Sequence, residues 1–175
     1  MSTIDYIVDL ALILVIFRQA TPRPLTLRTA VLPLILVAVA GKIYLRPVTL
    51  AGNDLGLIIV LAIAGVAVGL ASGLADTVWR EAGGRLMYRA TAVSIAAWVL
   101  GMGFRFGFAY YAYHSGAAAV ARFSASHDIT GAGIWTTAFV IMAFAQVLAR
   151  VGVLQHRRLR AKREVARTAL VPARR

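Results

Sequence analysis

One charged residue, Arg105, lies inside a long apolar segment, and it is the residue of this sequence best placed to do chemistry. The segment reads LMYRATAVSIAAWVLGMGFRFGFAYYAY over residues 86–113. It is long enough to cross a bilayer, which takes about 20 residues of helix. A charge within lipid is costly, so such a residue usually faces a partner, a water-filled cavity or a bound ligand. Arg105 is therefore our first candidate for a functional residue.

Two carboxylates near the N-terminus are candidate partners of Arg105. Asp5 and Asp9 are four residues apart and so lie on one face of a predicted helix. At 1.5 Å per helical residue, Asp9 lies about 9 Å below the N-terminal edge, and Arg105 about 12 Å below the aromatic end of its segment. The two charges could form a structural ion pair in one half of the membrane. Alternatively, they form the polar floor of a cavity. Its lining would include Trp98, Tyr110 and Tyr113.

The composition indicates a membrane protein. Of 175 residues, 60% are hydrophobic, yet the net charge is +12, a combination typical of polytopic membrane proteins with basic loops. The charges lie between and after the apolar blocks, which favours anionic lipid headgroups, and not nucleic acid, as the partner. The chain has no cysteine, which excludes disulfides, thiolate metal sites and thiol redox chemistry.

Five apolar segments predict an all-α, polytopic transmembrane helical bundle that occupies residues 1–155. The predicted spans are 3–18, 29–45, 54–75, 87–113 and 131–154. Prolines break the chain after the first two spans, and Gly83-Gly84 predicts a turn in the polar connection 76–85. We expect the charged residues of that connection to form solvated ion pairs. Residues 156–175 predict a basic cytoplasmic tail that extends as a helix, frays and lies on anionic headgroups.

The third predicted span carries glycines at every fourth position. Gly65, Gly69 and Gly73 form the small-xxx-small pattern that lets two helix backbones approach closely. One interpretation is packing within this chain, and the other is an interface with a second copy or a membrane protein partner. In the fifth span, Gln146 is the one polar interior residue, and we expect it to form a hydrogen bond to a neighbouring helix.

The distribution of arginines predicts the orientation. With five spans, the loop 18–28, the loop 76–89 and the C-terminal tail share one side of the membrane. These segments carry most of the basic residues, while the other side holds only Lys42, Arg46 and Arg122. The positive-inside rule makes the first side cytoplasmic. The N-terminus is then outside and the C-terminus inside.

Several local motifs together resemble a known family. They are RQATPRP at residues 18–24, the glycine-rich third span, REAGGRLMYRATA at residues 80–92, and the Trp98-x6-Arg105 spacing. This combination resembles the CcdC-like family of small bacterial multi-pass membrane proteins, over roughly residues 10–110. The resemblance implies a bacterial plasma membrane protein and leaves its biochemical role open, because the family offers no catalytic residues to carry over. Some members have four predicted spans, so a fifth span is a departure.

Three functions stay open at this stage. The first is an accessory protein without catalytic machinery that acts by helix–helix association. The second is a small transporter or binder of an anionic or amphiphilic ligand, with Arg105 reading the anionic group. It would need a cavity, and a broken or mobile helix that Gly101, Gly103 and Gly107 would permit. The third is an intramembrane enzyme acting on a lipid or prenyl substrate. No metal-ligand spacing and no cofactor motif is present in the sequence, which favours a non-enzyme.

Overall fold

The computed structural model describes residues 21–26, 31, 34, 35, 38 and 51–170 of the chain. Three short strands and four helices are described there: β1 Arg23–Pro24, α1 Asp54–Ala75, β2 Thr77–Arg80, β3 Leu86–Arg89, α2 Ala92–Tyr113, α3 Ala117–Ser126 and α4 Ala132–Leu170. The predicted first span, with Asp5 and Asp9, and most of the predicted second span lie outside the described residues.

Three of the four helices are long and apolar enough to cross a membrane. They are Asp54–Ala75, Ala92–Tyr113 and, within α4, Gly133–Glu164. The 22 residues of α1 give a rod of about 33 Å, which matches a hydrocarbon core of about 30 Å. The prediction of a mainly helical protein is confirmed, three of its helices could cross a membrane by length and composition, and α1 has the bounds predicted for the third span.

The glycines of α1 bring its backbone into direct contact with α4. A Cβ atom on Gly65 would lie 2.2 Å from the carbonyl oxygen of Met142, and one on Gly69 would lie 2.3 Å from that of Gln146. One turn further, Gly73 lies against Arg150. Both series advance by four residues in the same direction, so α1 and α4 are parallel. The glycine face is therefore used within the chain, and α2 runs antiparallel to both helices.

At one end of the bundle, a buried carboxylate joins the start of α1 to the loop before α4. Asp54 is fully buried and accepts hydrogen bonds from the backbone N–H of Ala51, at 3.1 Å, and from that of Thr130, at 2.9 Å. The hydroxyl of Thr130 donates a further hydrogen bond to it. Gly52 has φ +54° and passes so close to Asp128 that a side chain would have no room. This end of the bundle is thus fixed by backbone contacts.

At the other end, a small antiparallel sheet replaces part of the predicted fourth span. Strands β2 and β3 form a hairpin around the predicted Gly83-Gly84 turn, and β1 pairs with the outer side of β3. The side chain of Thr91 caps the following helix by accepting a hydrogen bond from the backbone N–H of Ser94. The predicted span 87–113 was therefore wrong at its start, because residues 86–89 form a strand and helix α2 begins at Ala92.

The sheet packs against α4 through a small apolar cluster. Leu25 beside β1, Tyr88 on β3 and Leu154 on α4 are buried together. Burial raises the pKa of the Tyr88 phenol above its usual value, which keeps this side chain neutral. The cluster shows that parts of the loop 18–28, of the loop 76–89 and of α4 meet at one end of the bundle.

The polar connection after α1 contains a buried ion pair, which contradicts the prediction of solvated pairs. Asp76 is 2% exposed, and its Oδ2 accepts a hydrogen bond from Arg150 Nη2 at 2.9 Å. Arg157 donates to the backbone carbonyls of Asp76 and Leu74, at 2.6 and 2.8 Å. It thereby satisfies acceptors that a helix C-terminus leaves unpaired. The sequence pattern could not show this because Arg150 and Arg157 are 74 and 81 residues from Asp76 and lie on another element, α4.

Helix α4 continues past residue 154, the predicted end of the fifth span. It runs without a break for 39 residues, about 58 Å, to Leu170. The predicted boundary between the fifth span, ending at 154, and the tail, starting at 156, therefore lies within one helix. It marks a change in composition and not in secondary structure. Arg80 of β2 donates to the carbonyl of Ala161 at 3.0 Å, so the hairpin contacts this extension directly.

We expect Gly69→Leu to destabilise the bundle, since a large side chain would force the backbones of α1 and α4 apart. Overpacking of this kind costs about 1–3 kcal/mol. The measurement is the melting temperature in detergent. Gly103→Leu is the matched control, because no described atom lies within 4 Å of a Cβ at that position. Equal melting temperatures for the two variants would contradict the contact between the helices.

Candidate functional site

Arg105 is held in the middle of α2 by two hydrogen bonds. Its Nε donates to the backbone carbonyl of Gly101 at 3.1 Å, and its Nη2 donates to Oε1 of Gln146 at 3.3 Å. The helix is continuous through all its glycines, so the break that the sequence would permit does not occur. The side chain is half-buried and points back towards the start of α2.

Gln146 joins the three long helices at the level of Arg105. It is 1% exposed, its backbone contacts Gly69 of α1, and its side-chain amide lies against Gly101 of α2. A Cβ on Gly101 would lie 3.1 Å from Gln146 Oε1, so a glycine is needed there for close packing. The expected hydrogen bond between this residue and a neighbouring helix is present: Gln146 Oε1 accepts it from Arg105.

A cavity of about 820 Å³ lies between α2, α3 and α4, and Arg105 is at one end of it. Its walls are mainly apolar. Three aromatic side chains form one wall: Phe108 stacks on Trp135 with ring centres 4.8 Å apart, and Phe139 lies 5.0 Å from Phe108. The far end is closed by α3, where the Nε1–H of Trp135 donates to the hydroxyl of Ser124 at 3.1 Å.

The structure brings only some of the predicted site residues together. Arg105 and Tyr113 both line the cavity. Trp98 and Tyr110 do not line this cavity, and the predicted cavity with Asp9 in its floor lies partly outside the described residues. Tyr110 is 66% exposed and stacks on the ring of His114, one turn further along the helix.

The aromatic wall was not predicted from the sequence, although part of its signal is visible there. Phe108 follows Arg105 by three residues and so lies on the same face of α2. Trp135 and Phe139 are four residues apart on α4 and likewise share a face. Nothing in the sequence indicates that these two faces oppose each other.

The cavity carries one unbalanced positive charge among its lining residues. Among the described residues that line it, Arg105 is the single Arg, Lys, His, Asp or Glu side chain. Over the described residues no carboxylate pairs with it, and the ion pair found there joins Asp76 to Arg150. An anion at this end of the cavity would be stabilised by charge as well as by hydrogen bonds.

The described residues contain no cluster of three His, Asp or Glu side chains that could hold a metal ion. His114 and His127 each stack on an aromatic ring of their own segment, Tyr110 and Phe123 respectively. The groups that line the cavity can therefore bind an anion, whereas proton transfer would need groups that this part of the chain does not bring together.

Comparisons with protein-family models, curated proteins and solved structures found no match for this chain. The resemblance to the CcdC-like family stays a prediction, and the function has to be argued from the geometry of the cavity.

We expect a double-mutant cycle to decide whether Asp9 pairs with Arg105. If they pair, Arg105→Ala and Asp9→Ala each lower the melting temperature, because each leaves a buried charge alone, and the double variant recovers part of the loss. Asp5→Ala is the control, since this residue lies one helical turn nearer the predicted water interface. Additive effects at positions 9 and 105 would reject the pair.

Proposed function

We propose that this chain is an integral membrane protein that binds an anionic amphiphile in the cavity between α2, α3 and α4. The observation that carries the proposal is the unbalanced charge of Arg105 at one end of a mainly apolar cavity. Ligand cavities typically have volumes of about 300–1,000 Å³, apolar walls and a few placed polar groups. A volume of about 820 Å³ with one guanidinium fits that description.

The position of Arg105 also supports binding over a purely structural role. A buried arginine with a structural role normally has its charge paired, as Arg150 has with Asp76 at 2.9 Å. Arg105 instead donates to two neutral carbonyl oxygens, and among the described residues no carboxylate pairs with it at the cavity. An anionic ligand would supply a negative charge to pair with Arg105. Transport of that ligand across or along the membrane is a role that such binding would allow.

A second candidate is the accessory role through helix association, and one observation favours it. Gly103 and Gly107 lie four residues apart on α2, and no described atom lies within 4 Å of a Cβ at either position. This small-xxx-small pair on an open face could receive a helix of another membrane protein or of a second copy. The glycines of α1 no longer support this role, because α4 covers them.

We further propose the five-span arrangement in a bacterial plasma membrane, with the N-terminus outside and the C-terminus in the cytoplasm. Support comes from the pairing of β1 with β3 and from the contact of Arg80 with Ala161, which join the three basic segments at one end of the bundle. That end would face anionic headgroups on the cytoplasmic side.

Binding can be tested by quenching of Trp135, which lines the cavity, in full-length protein with Trp79→Phe and Trp98→Phe. The protein is placed in nanodiscs of zwitterionic lipid and titrated with dibromostearate or brominated phosphatidylglycerol. We expect at least one of these anions to quench more strongly than brominated phosphatidylcholine. Arg105→Gln should weaken binding about 10- to 100-fold, the range for a lost charge-assisted hydrogen bond of about 1.5–3 kcal/mol.

The matched control is Arg122→Gln, which removes an exposed arginine of α3 outside the cavity lining. It should leave the quenching unchanged. Equal quenching by anionic and neutral lipids would reject the proposed function. Binding that appears only in the Asp9→Asn variant would also reject it, because the carboxylate of Asp9 would then occupy Arg105 in the natural sequence.

The orientation is tested by cysteine labelling in intact cells. A cysteine at Ser126, the exposed last residue of α3, should react with an impermeant maleimide, whereas one at Thr77, exposed in β2, should be protected. These positions lie at opposite ends of α2, so their reactivities must differ if α2 spans the membrane. The opposite pattern would reverse the proposed orientation.

A further inference from the structure

The charge of Arg105 lies at one end of the cavity, and this limits the shape of a ligand that can fill the cavity. The Nε–Gly101 and Nη2–Gln146 hydrogen bonds hold the guanidinium at the level of Met102 and Ala143. The opposite end, at Tyr113, is 11 residues further along α2 than Met102, about 16 Å away. A ligand that contacts both ends is therefore elongated, with its anionic group at one terminus.

The free donors of Arg105 match the two oxygens of a carboxylate. A guanidinium has five N–H groups in a planar fork, and two of them are used by Gly101 and Gln146. The remaining three are on Nη1 and Nη2. These two nitrogens form the edge of the fork that binds a carboxylate through two parallel hydrogen bonds.

The cavity offers few partners for a larger polar headgroup. Its other lining residues with polar side-chain atoms are Tyr113, Ser124, Trp135 and Thr136. Two of these already bond to each other, since Trp135 Nε1 donates to Ser124 Oγ at 3.1 Å. A glycerol or sugar headgroup would leave several polar atoms buried without partners, which is costly. A carboxylate has only two oxygens, and both can be satisfied by Arg105.

The remaining wall suits a hydrocarbon chain. Phe108, Trp135 and Phe139 form an aromatic surface, and small side chains elsewhere in the lining leave room beside it. Those small residues are Ala109, Ala112 and Ala143.

We propose that the ligand class is a single-chain carboxylate of the fatty-acid type, bound with its carboxylate at Arg105 and its chain along the aromatic wall towards α3. This inference rests on the proposed function and narrows it. One guanidinium balances one negative charge, which a carboxylate carries at neutral pH. A phosphomonoester would bring more charge than the cavity lining neutralises.

The test is competition against the brominated probe that quenches Trp135, using the same full-length protein in zwitterionic nanodiscs at pH 9. The competitors are hexadecanoate, hexadecanol and a lysophosphatidylglycerol with the same chain. We expect hexadecanoate to compete at least tenfold more strongly than the other two.

Arg105→Gln should abolish the preference for hexadecanoate over hexadecanol, while Arg105→Lys should retain part of it. Ala112→Phe should weaken competition by both hexadecanoate and hexadecanol, because the larger side chain shortens the space for the hydrocarbon chain.

Each alternative outcome has a distinct meaning. Competition by lysophosphatidylglycerol equal to or stronger than that of hexadecanoate would overturn the ligand class and leave the proposed function standing. Equal competition by hexadecanoate and hexadecanol would show that Arg105 does not read the anionic group, which overturns the inference. A failure of every anionic amphiphile, including the probe itself, would reject the inference and the proposed function together.

Discussion

The direct contact between the backbones of α1 and α4 is the constraint on which the rest of the described structure depends. Apolar side chains gain little by leaving lipid for one another, so helices in a membrane associate through close packing and polar contacts. Glycines at positions 65, 69 and 73 permit that close packing over three helical turns. Because the contact fixes α4 against α1, the side chain of Gln146 is turned towards α2, where it meets Arg105.

Polar groups at the two ends of α1 fix its register against α4. Asp54 bonds to Thr130 before α4 begins, and Asp76 pairs with Arg150 within it. Both carboxylates are buried, so a shift of one helical turn would leave each without its partner at a considerable cost. The register matters for the cavity because the same helix α4 presents Trp135 and Phe139 to α2.

Much of the architecture could be predicted from hydropathy and small residues, and the rest depends on distant contacts. The bounds of α1 follow from its uninterrupted apolar run, and the turn at Gly83-Gly84 follows from its residue types. Strand β3 was hidden because its first residues, Leu86 and Met87, are apolar and lie only a few residues before the apolar run of α2. The ion pair of Asp76 was hidden because Arg150 is 74 residues away in sequence. Among the candidate site residues, Arg105 could be identified because a charge within lipid is energetically costly. The aromatic wall could not, because it depends on how two helices face each other.

The parallel contact of α1 with α4 also affects how the chain matures during synthesis. Gly65 meets Met142, and 142 − 65 = 77 residues separate them. At about 5–20 residues per second, the ribosome needs roughly 4–15 seconds to make that stretch. Over this interval the glycine face of α1 has been made but lacks its final neighbour. The close packing of α1 is therefore completed only after the last long helix has been synthesised.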